Sequence, residues 1–326
     1  MPQLTLAEAV TQALRYEMQH DPNVLVLGED VAKNGGVFRT TVGLLEQFGP
    51  ERVMDTPLAE SMIAGLSIGM AMQGLKPVAE FQFMGFIYPA FDQIISHASR
   101  MRNRTRGRLS CPLVYRAPYG GGIHAPEHHS ESTEALFAHI PGVKVVIPSS
   151  PARAYGLLLA AIRDPDPVIF LEPKRIYRLV KQEVPDDGAA LPLEKCFILR
   201  EGEDVTLITW GAMITETLQA AEQLAQNGIS AEVIDVATIK PLDSVTILES
   251  VEKTGRCVIV HEAARTCGFG AEIAAQLAEY ALTSLLAPIQ RVTGFDTVMP
   301  YLKMEKCYMP SVQRILDAVN LTLEQQ

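Results

Sequence analysis

Short, continuous runs of apolar residues alternate with helical segments along most of this chain. Clear examples of such runs are Val24–Leu27, Val168–Leu171, Val205–Thr209 and Cys257–Val260. Continuous hydrophobicity is typical of strands that are buried on both faces, and strands separated by helices usually form parallel sheets. The sequence therefore predicts an α/β fold in which helices cover both faces of mainly parallel sheets.

The alternation is lost between residues 181 and 203, where proline, glycine and aspartate replace the apolar runs. We predict two α/β domains, at residues 1–180 and 204–326, joined by a linker at 181–203. A length of 326 residues agrees with this division, because a single hydrophobic core seldom serves so long a chain. With 48% hydrophobic and 20% charged residues, the chain has enough apolar side chains for both cores.

The charge balance argues against nucleic acid as a partner. The chain has 28 Lys and Arg against 38 Asp and Glu, and its densest basic stretch, residues 101–108, lacks interleaved aromatic residues. No apolar run is long enough to span a membrane, and the amino terminus lacks the pattern of a targeting peptide. The 5 cysteines form no CxxC pair, which favours a reducing compartment. We therefore expect a cytoplasmic protein.

Three histidines lie in one glycine-rich segment, residues 120–130. His124 and His128 have the spacing of a helical metal pair, but Pro126 and the glycines disfavour a helix, which leaves a zinc site without geometric support. Two alternatives remain. The histidines hydrogen-bond to backbone in a polar loop, or the loop carries an ionisable imidazole into an active site.

The spacing of residues does not by itself assign a function to two other features. Gly268 and Gly270 resemble part of a dinucleotide-binding fingerprint, but its third glycine is missing, and a close helix–strand junction explains them equally well. Glu60 follows Pro57 at the start of an apolar helix predicted from Leu58 to Met72. The simplest interpretation of Glu60 is a first-turn carboxylate that the helix dipole stabilises.

Several motifs that follow one another along the chain point to a family. They are Asp55-Thr-Pro-Leu-Ala-Glu-Ser61, Phe81-Gln-Phe-Met-Gly-Phe-Ile-Tyr-Pro-Ala-Phe-Asp-Gln93, His128-His-Ser-Glu-Ser132, Pro141-Gly-Val-Lys-Val-Val-Ile-Pro148 and Phe170-Leu-Glu-Pro-Lys-Arg-Ile-Tyr-Arg178. Together they resemble the beta subunit of a thiamine-diphosphate-dependent 2-oxoacid dehydrogenase, the decarboxylating first component of the pyruvate and branched-chain complexes. The resemblance implies an N-terminal pyrimidine-binding domain, a parallel sheet flanked by helices, and a C-terminal transketolase-like α/β domain.

The resemblance also implies site residues. Glu60 falls on the family glutamate that hydrogen-bonds N1′ of the cofactor's aminopyrimidine, a contact that favours the imino tautomer needed for proton removal. Leu58 and Phe86 fall on positions that line the pyrimidine pocket, and Glu29 matches an acidic residue near the cofactor. His129 matches the active-site histidine that serves reductive acylation of the lipoyl group.

Metals and partners follow from the same resemblance. Ala161, Asp164 and Asp166 match a segment that binds potassium in some members, although a turn before the next strand explains these acids equally well. The family's signature for diphosphate and magnesium, Gly-Asp-Gly followed by paired Asn, is absent from the sequence. An alpha subunit would therefore hold magnesium and the diphosphate, in an α2β2 assembly that acts on a 2-oxoacid and passes the acyl group to a lipoyl acyltransferase component.

The substrate is less strongly indicated. Residues 83–88, near the expected pocket, resemble pyruvate-type members, whereas residues 137–142 and 261–270 resemble branched-chain members. Because residues near the pocket bear most directly on the substrate, we expect pyruvate, with a branched-chain 2-oxoacid as the alternative. A different class of function, a non-catalytic assembly subunit, is disfavoured because a scaffold needs neither Glu60 nor His129.

Overall fold

A computed structural model describes residues 2–324 of the chain. The chain folds into two compact units, one formed by residues up to 119 together with 136–193, the other by residues 120–135 and the chain from 194 onward. The histidine-containing segment thus belongs to the second unit, although it interrupts the first in sequence. The domain boundaries at 180 and 204 stay a prediction.

Up to residue 193 the chain alternates between strands and helices. Strands β1–β8 span Gln3–Leu4, Val24–Gly28, Val53–Asp55, Lys76–Glu80, Val114–Tyr119, Lys144–Val146, Val168–Pro173 and Gln182–Glu183. Helices α1–α7 span Leu6–His20, Leu44–Phe48, Glu60–Met72, Phe91–Ser96, Met101–Arg104, Glu134–Ala138 and Pro151–Arg163. In the main sheet of the first unit parallel strands pair in the order β6-β7-β5-β4-β2-β3, while β1 and β8 form a separate antiparallel pair.

Local sequence explains where two of the three long helices of this unit, α1 and α7, begin. The Thr5 hydroxyl accepts a hydrogen bond from the backbone N–H of Glu8, and the Glu8 carboxylate accepts one from the Thr5 backbone, so a complete capping box starts α1. At the start of α7 the Ser150 hydroxyl accepts a hydrogen bond from the backbone N–H of Arg153, and Pro151 occupies the first helical position, where no N–H is needed. Helices α1 and α7 then pack against each other.

The second unit contains a second α/β sheet. Strands β9–β14 span Phe197–Arg200, Val205–Thr209, Ala231–Asp235, Thr238–Lys240, Cys257–Val260 and Gln290–Val292. Helices α8–α12 span Ile214–Gln226, Ser244–Thr254, Phe269–Tyr280, Glu305–Tyr308 and Val312–Leu323. Its sheet has the order β14-β13-β10-β11-β9, with parallel pairs except for β9, which runs antiparallel to β11.

These sheets confirm the α/β architecture predicted from the apolar runs. The stretch 181–203, predicted as a linker, contains β8 and β9, and helix α12 is not among the predicted elements. The helix expected over 58–72 begins at Glu60, and one of its faces is exposed in the single chain. No helix in the described part of the chain is long and apolar enough to cross a membrane.

Candidate active site

Four residues that the sequence predicts at the cofactor follow three neighbouring strands of the first sheet. Glu29 comes directly after β2, Leu58 and Glu60 follow β3, and Phe86 follows β4. Strands β4, β2 and β3 are adjacent and parallel, so their carboxyl ends lie along one edge of the sheet. In open α/β sheets this edge is where ligands bind.

Glu29 is a buried carboxylate with an unsatisfied oxygen. Its side chain is 6% exposed, and its Oε1 atom is buried without a hydrogen-bond partner among the described residues. Burial raises the pKa of Glu29, and the nearby negative charges of Glu60 and Asp30 raise it further. A buried acceptor without a partner is rare in folded proteins and fits a ligand that supplies a donor.

The backbone around Glu29 is held firmly. The Asp55 carboxylate accepts hydrogen bonds from the backbone of Ala32 and Lys33, at 2.7 and 3.3 Å, and so fixes the loop that follows Glu29. The hydroxyl oxygen of Thr56 is buried and, like Glu29 Oε1, has no hydrogen-bond partner in the described chain. Two unsatisfied oxygens at one sheet edge fit the polar edge of a heterocyclic ring better than a purely apolar ligand.

Phe86 and Leu58 supply apolar surface near this edge. Phe86 is half-buried and packs edge-to-face on Phe83, with ring centroids 5.4 Å apart, and Phe83 packs in the same way on Phe38 at 5.4 Å. Leu58 is 79% exposed, and Leu66 of helix α3 is also exposed. An exposed Leu58 does not close a pocket within this chain, so its contact with the cofactor stays a prediction.

A buried ion network, which sequence reasoning missed, connects β4 with β5 and β7 of the same sheet. The Arg116 guanidinium donates to both carboxylate oxygens of Glu172, at 2.6 and 3.0 Å, and to Glu80 at 2.8 Å. Thr40, in the loop after Glu29, donates to Glu80 at 3.1 Å, and the Tyr177 hydroxyl donates to Glu172 at 2.6 Å. The network therefore ties that loop to three strands of the sheet.

Complete burial and mutual charge shift the pKa values of the residues in this network. Burial raises the pKa of Glu80, partly opposed by the positive charge of Arg116. For Arg116 burial acts to lower the pKa, but the carboxylates of Glu172 and Glu80 outweigh it and the pKa is raised. The sequence contained a signal for two of these residues: Arg116 and Glu172 are each the single charge in an otherwise apolar strand, and such a charge needs a buried partner.

His129 lies in the second unit, in a single 3-10 turn at Glu127–His129. The turn confirms that no α-helix presents His124 and His128 to a metal. His124 instead contacts Glu305, with 2.5 Å between Nδ1 and Oε2. Within residues 2–324 no group of three or more His, Cys, Asp or Glu side chains is arranged to hold a metal ion.

The residues suggested for potassium lie where α7 ends. Asp164 contacts Lys144 and also accepts from the Asp166 backbone N–H at 2.9 Å, while the Asp166 carboxylate accepts from Arg102 Nε at 2.7 Å. The backbone carbonyl of Ala161 accepts from the Asp164 N–H at 3.4 Å. Both carboxylates thus have cationic partners within the chain, and potassium binding stays a prediction.

The paired glycines at 268 and 270 have a packing role. His261 is fully buried and stacks on Trp210, with ring centroids 5.1 Å apart. A Cβ atom added to Gly268 or Gly270 would lie 2.8 Å from the His261 ring. Only glycine allows helix α10 to approach this ring, so the close-junction interpretation accounts for the pair.

His261 makes the stability of the second unit dependent on pH. Burial, with Arg291 nearby, lowers the pKa of His261 to about 3 from its ordinary 6.5. Between these values the unfolded chain binds a proton that the folded chain does not. The contribution of neutral His261 to the free energy of unfolding is therefore fully present above about pH 6.5 and is lost as the pH falls.

His261→Phe keeps the stacking ring but cannot bind a proton. We expect the free energy of unfolding to fall by about 2 kcal/mol less in this variant than in the parent protein between pH 7 and pH 5.

Urea denaturation at both pH values measures this difference, with exposed His139→Gln as the control. If the free energy of unfolding depended equally on pH in His261→Phe and in the parent protein, the imidazole of His261 would not be held neutral by burial.

Comparison with known proteins agrees with this geometry. Residues 2–180 match the family described as the transketolase pyrimidine-binding domain, and residues 194–315 match the transketolase C-terminal domain. The chain is 49% identical to the pyruvate dehydrogenase E1 component subunit beta of Bacillus subtilis and 48% identical to that of Staphylococcus epidermidis, covering 99% of this chain and 100% of each relative. A solved split-gene transketolase, described as an inactive beta4 tetramer, has a TM-score of 0.82 at 26% identity and covers 99% of each chain.

The chain belongs to the E1 beta subunits of thiamine-diphosphate-dependent 2-oxoacid dehydrogenases. The family and enzyme class implied by the motifs are therefore confirmed, as is the combination of a pyrimidine-binding and a transketolase-like α/β domain. In this E1 beta chain Glu60 lies in the first unit and His129 in the second.

Proposed function

We propose that this E1 beta chain, with an alpha subunit, carries out the oxidative decarboxylation of pyruvate and transfers the acetyl group to a lipoyl domain. The observation that carries the proposal is the pair Glu29 and Glu60 at one sheet edge, with an unsatisfied buried oxygen on Glu29. It is supported by relatives named pyruvate dehydrogenase E1 beta subunits, which are 47 to 49% identical over 99% of the chain.

The residues at the sheet edge fit the pyrimidine end of the cofactor. When bound, thiamine diphosphate would supply a nucleophilic thiazolium carbon for the 2-oxoacid. Glu60 would share a proton with N1′ of the aminopyrimidine and so favour the imino tautomer of the ring. Glu29 Oε1 offers an acceptor to a donor on the ring, while Leu58 and Phe86 offer apolar surface to its faces.

An alpha subunit is needed to complete the site. This chain lacks the Gly-Asp-Gly and paired Asn that bind magnesium and diphosphate in the family, so we assign both to the alpha subunit. Exposed apolar side chains offer a surface for a partner subunit, in keeping with an α2β2 assembly; they are Leu58, just before helix α3, and Met62, Leu66 and Met72 within it. Potassium at residues 161–166 is retained as a hypothesis.

The substrate distinguishes the proposal from its alternative, a branched-chain 2-oxoacid dehydrogenase. Steady-state assays of the reconstituted alpha–beta pair with pyruvate and with 3-methyl-2-oxobutanoate test it. We expect kcat/KM to be at least about tenfold higher for pyruvate, because a pocket shaped for a methyl group excludes an isopropyl group. The opposite preference would assign the chain to the branched-chain type.

His129 is proposed to serve acyl transfer rather than decarboxylation. Transfer to a lipoyl group breaks its disulfide, and the sulfur that leaves needs a proton, which an imidazole can supply near neutral pH. We expect His129→Ala to lower acetylation of the lipoyl domain roughly tenfold or more, while decarboxylation measured with an artificial electron acceptor changes less. Equal losses in the two assays would refute this division of roles.

A further inference from the structure

Two buried carboxylates hold the backbone of the segment that precedes His129. The Glu262 side chain, 3% exposed, accepts a hydrogen bond from the N–H of Gly121 at 3.1 Å. Glu305, 2% exposed, accepts from the N–H of Gly122 at 2.7 Å and from that of His124 at 3.1 Å. Each carboxylate is brought from a distant part of the same unit, Glu262 from the region after β13 and Glu305 from the start of α11.

Glu305 also contacts the ring of His124, with 2.5 Å between Oε2 and Nδ1. One carboxylate thus meets two backbone donors and one imidazole of a single loop. Glu305 is therefore a polar attachment of this loop at three points.

The loop includes residues in the left-handed region of φ. His124 has a φ of +60°, which is uncommon for residues other than glycine. Gly120 has a φ of +83°, which glycine adopts without strain, and a Cβ atom there would lie 2.2 Å from Glu262 Oε1. Because Glu305 accepts from the N–H of His124, it stabilises the loop at the residue whose conformation is uncommon.

The attachment continues to His129 through a short turn. The backbone N–H of His129 donates to the Pro126 carbonyl at 2.9 Å, and the buried Ser130 hydroxyl donates to the same carbonyl at 3.2 Å. The Tyr301 hydroxyl donates to the Glu127 carboxylate. From residue 121 to residue 130 the loop is thus bonded to itself and to the stretch around 301–305.

We propose that Glu305 is a positioning residue for His129, acting through the loop and not on the substrate. The inference rests on the proposed role of His129 in acyl transfer. Proton transfer to a bound lipoyl sulfur requires the imidazole within hydrogen-bond reach, and a small displacement of the loop reduces the rate of that step alone. On this proposal decarboxylation depends less on the position of the loop than acyl transfer does.

The test compares Glu305→Gln and Glu305→Ala in the assembled alpha–beta enzyme, with exposed Glu279→Gln as the matched control. We expect lipoyl acetylation to fall about tenfold in Glu305→Gln and further in Glu305→Ala, in kcat rather than in KM. Decarboxylation with an artificial acceptor should stay within about twofold of the parent enzyme. Glu279→Gln should leave both activities unchanged.

Hydrogen exchange tests whether Glu305 holds the loop, independently of the proposed function. In Glu305→Ala the amides of Gly122 and His124 should exchange faster than in the parent or in Glu279→Gln. Unchanged exchange, or equal losses in both assays, would overturn the positioning role. His129→Ala is measured in parallel. If it shows no selective loss of acetylation, the proposed role of His129 fails, and the exchange rates still decide whether Glu305 holds the loop.

Discussion

Glu60→Gln in the assembled enzyme is expected to lower turnover of the 2-oxoacid on the order of a hundredfold or more. Glutamine keeps the size of the side chain and one hydrogen bond, but it cannot share a proton with the aminopyrimidine, and a lost acid–base group usually costs this much. Cofactor binding should weaken far less than turnover. Steady-state decarboxylation and calorimetric titration with thiamine diphosphate and magnesium measure the two effects.

Glu51→Gln provides the matched control, because Glu51 is an exposed glutamate of the same unit. Near-normal decarboxylation in Glu60→Gln would return Glu60 to the role of a first-turn carboxylate of α3. It would also favour the assembly-subunit alternative, in which activating residues are dispensable.

The isolated chain is expected to fold, to bind thiamine diphosphate poorly and to show no decarboxylase activity. It lacks the family's magnesium-linked contacts to the two phosphate groups, and a net charge of −10 provides no electrostatic substitute for them. Its exposed apolar face on α3 should also cause self-association. Calorimetric titration, activity assays and analytical ultracentrifugation of the chain alone test these expectations.

Adding an alpha subunit that carries Gly-Asp-Gly and paired Asn should restore binding and turnover together. An alpha subunit whose magnesium-binding Asp is replaced by Ala serves as the control and should restore neither. Stoichiometric micromolar binding with turnover by the chain alone would refute a site shared between subunits.

Much of the fold could be predicted because its determinants are local. The strands Val205–Thr209 and Cys257–Val260 match the apolar runs residue for residue, and the capping box at Thr5 marks the start of α1. The motif around Glu60 likewise identified the family before any contact was known. Helix α12 was missed although its hydrophobic pattern was present in the sequence.

The contacts of the site could not be predicted in this way. Arg116 is paired with Glu172, 56 positions away, and Gly122 is bonded to Glu305, 183 positions away. A lone charge in an apolar strand indicates that a partner exists but not which residue it is. Glu305 lies among lysines and apolar side chains in residues 301–309, where no pattern in the sequence distinguishes it.

The sequence by itself determined the α/β class, the family and the residue types that the chemistry requires, because periodicity, caps and motifs are properties of neighbouring residues. Only the tertiary structure decided which carboxylates are buried, which of them face each other and which backbone they hold. The charge of Glu60 raises the pKa of Glu29 only because β2 and β3 are adjacent. The loop before His129 is held by Glu305, which lies far along the chain from it. Burial and long-range pairing change the energies of these groups, and neither is encoded at any single position.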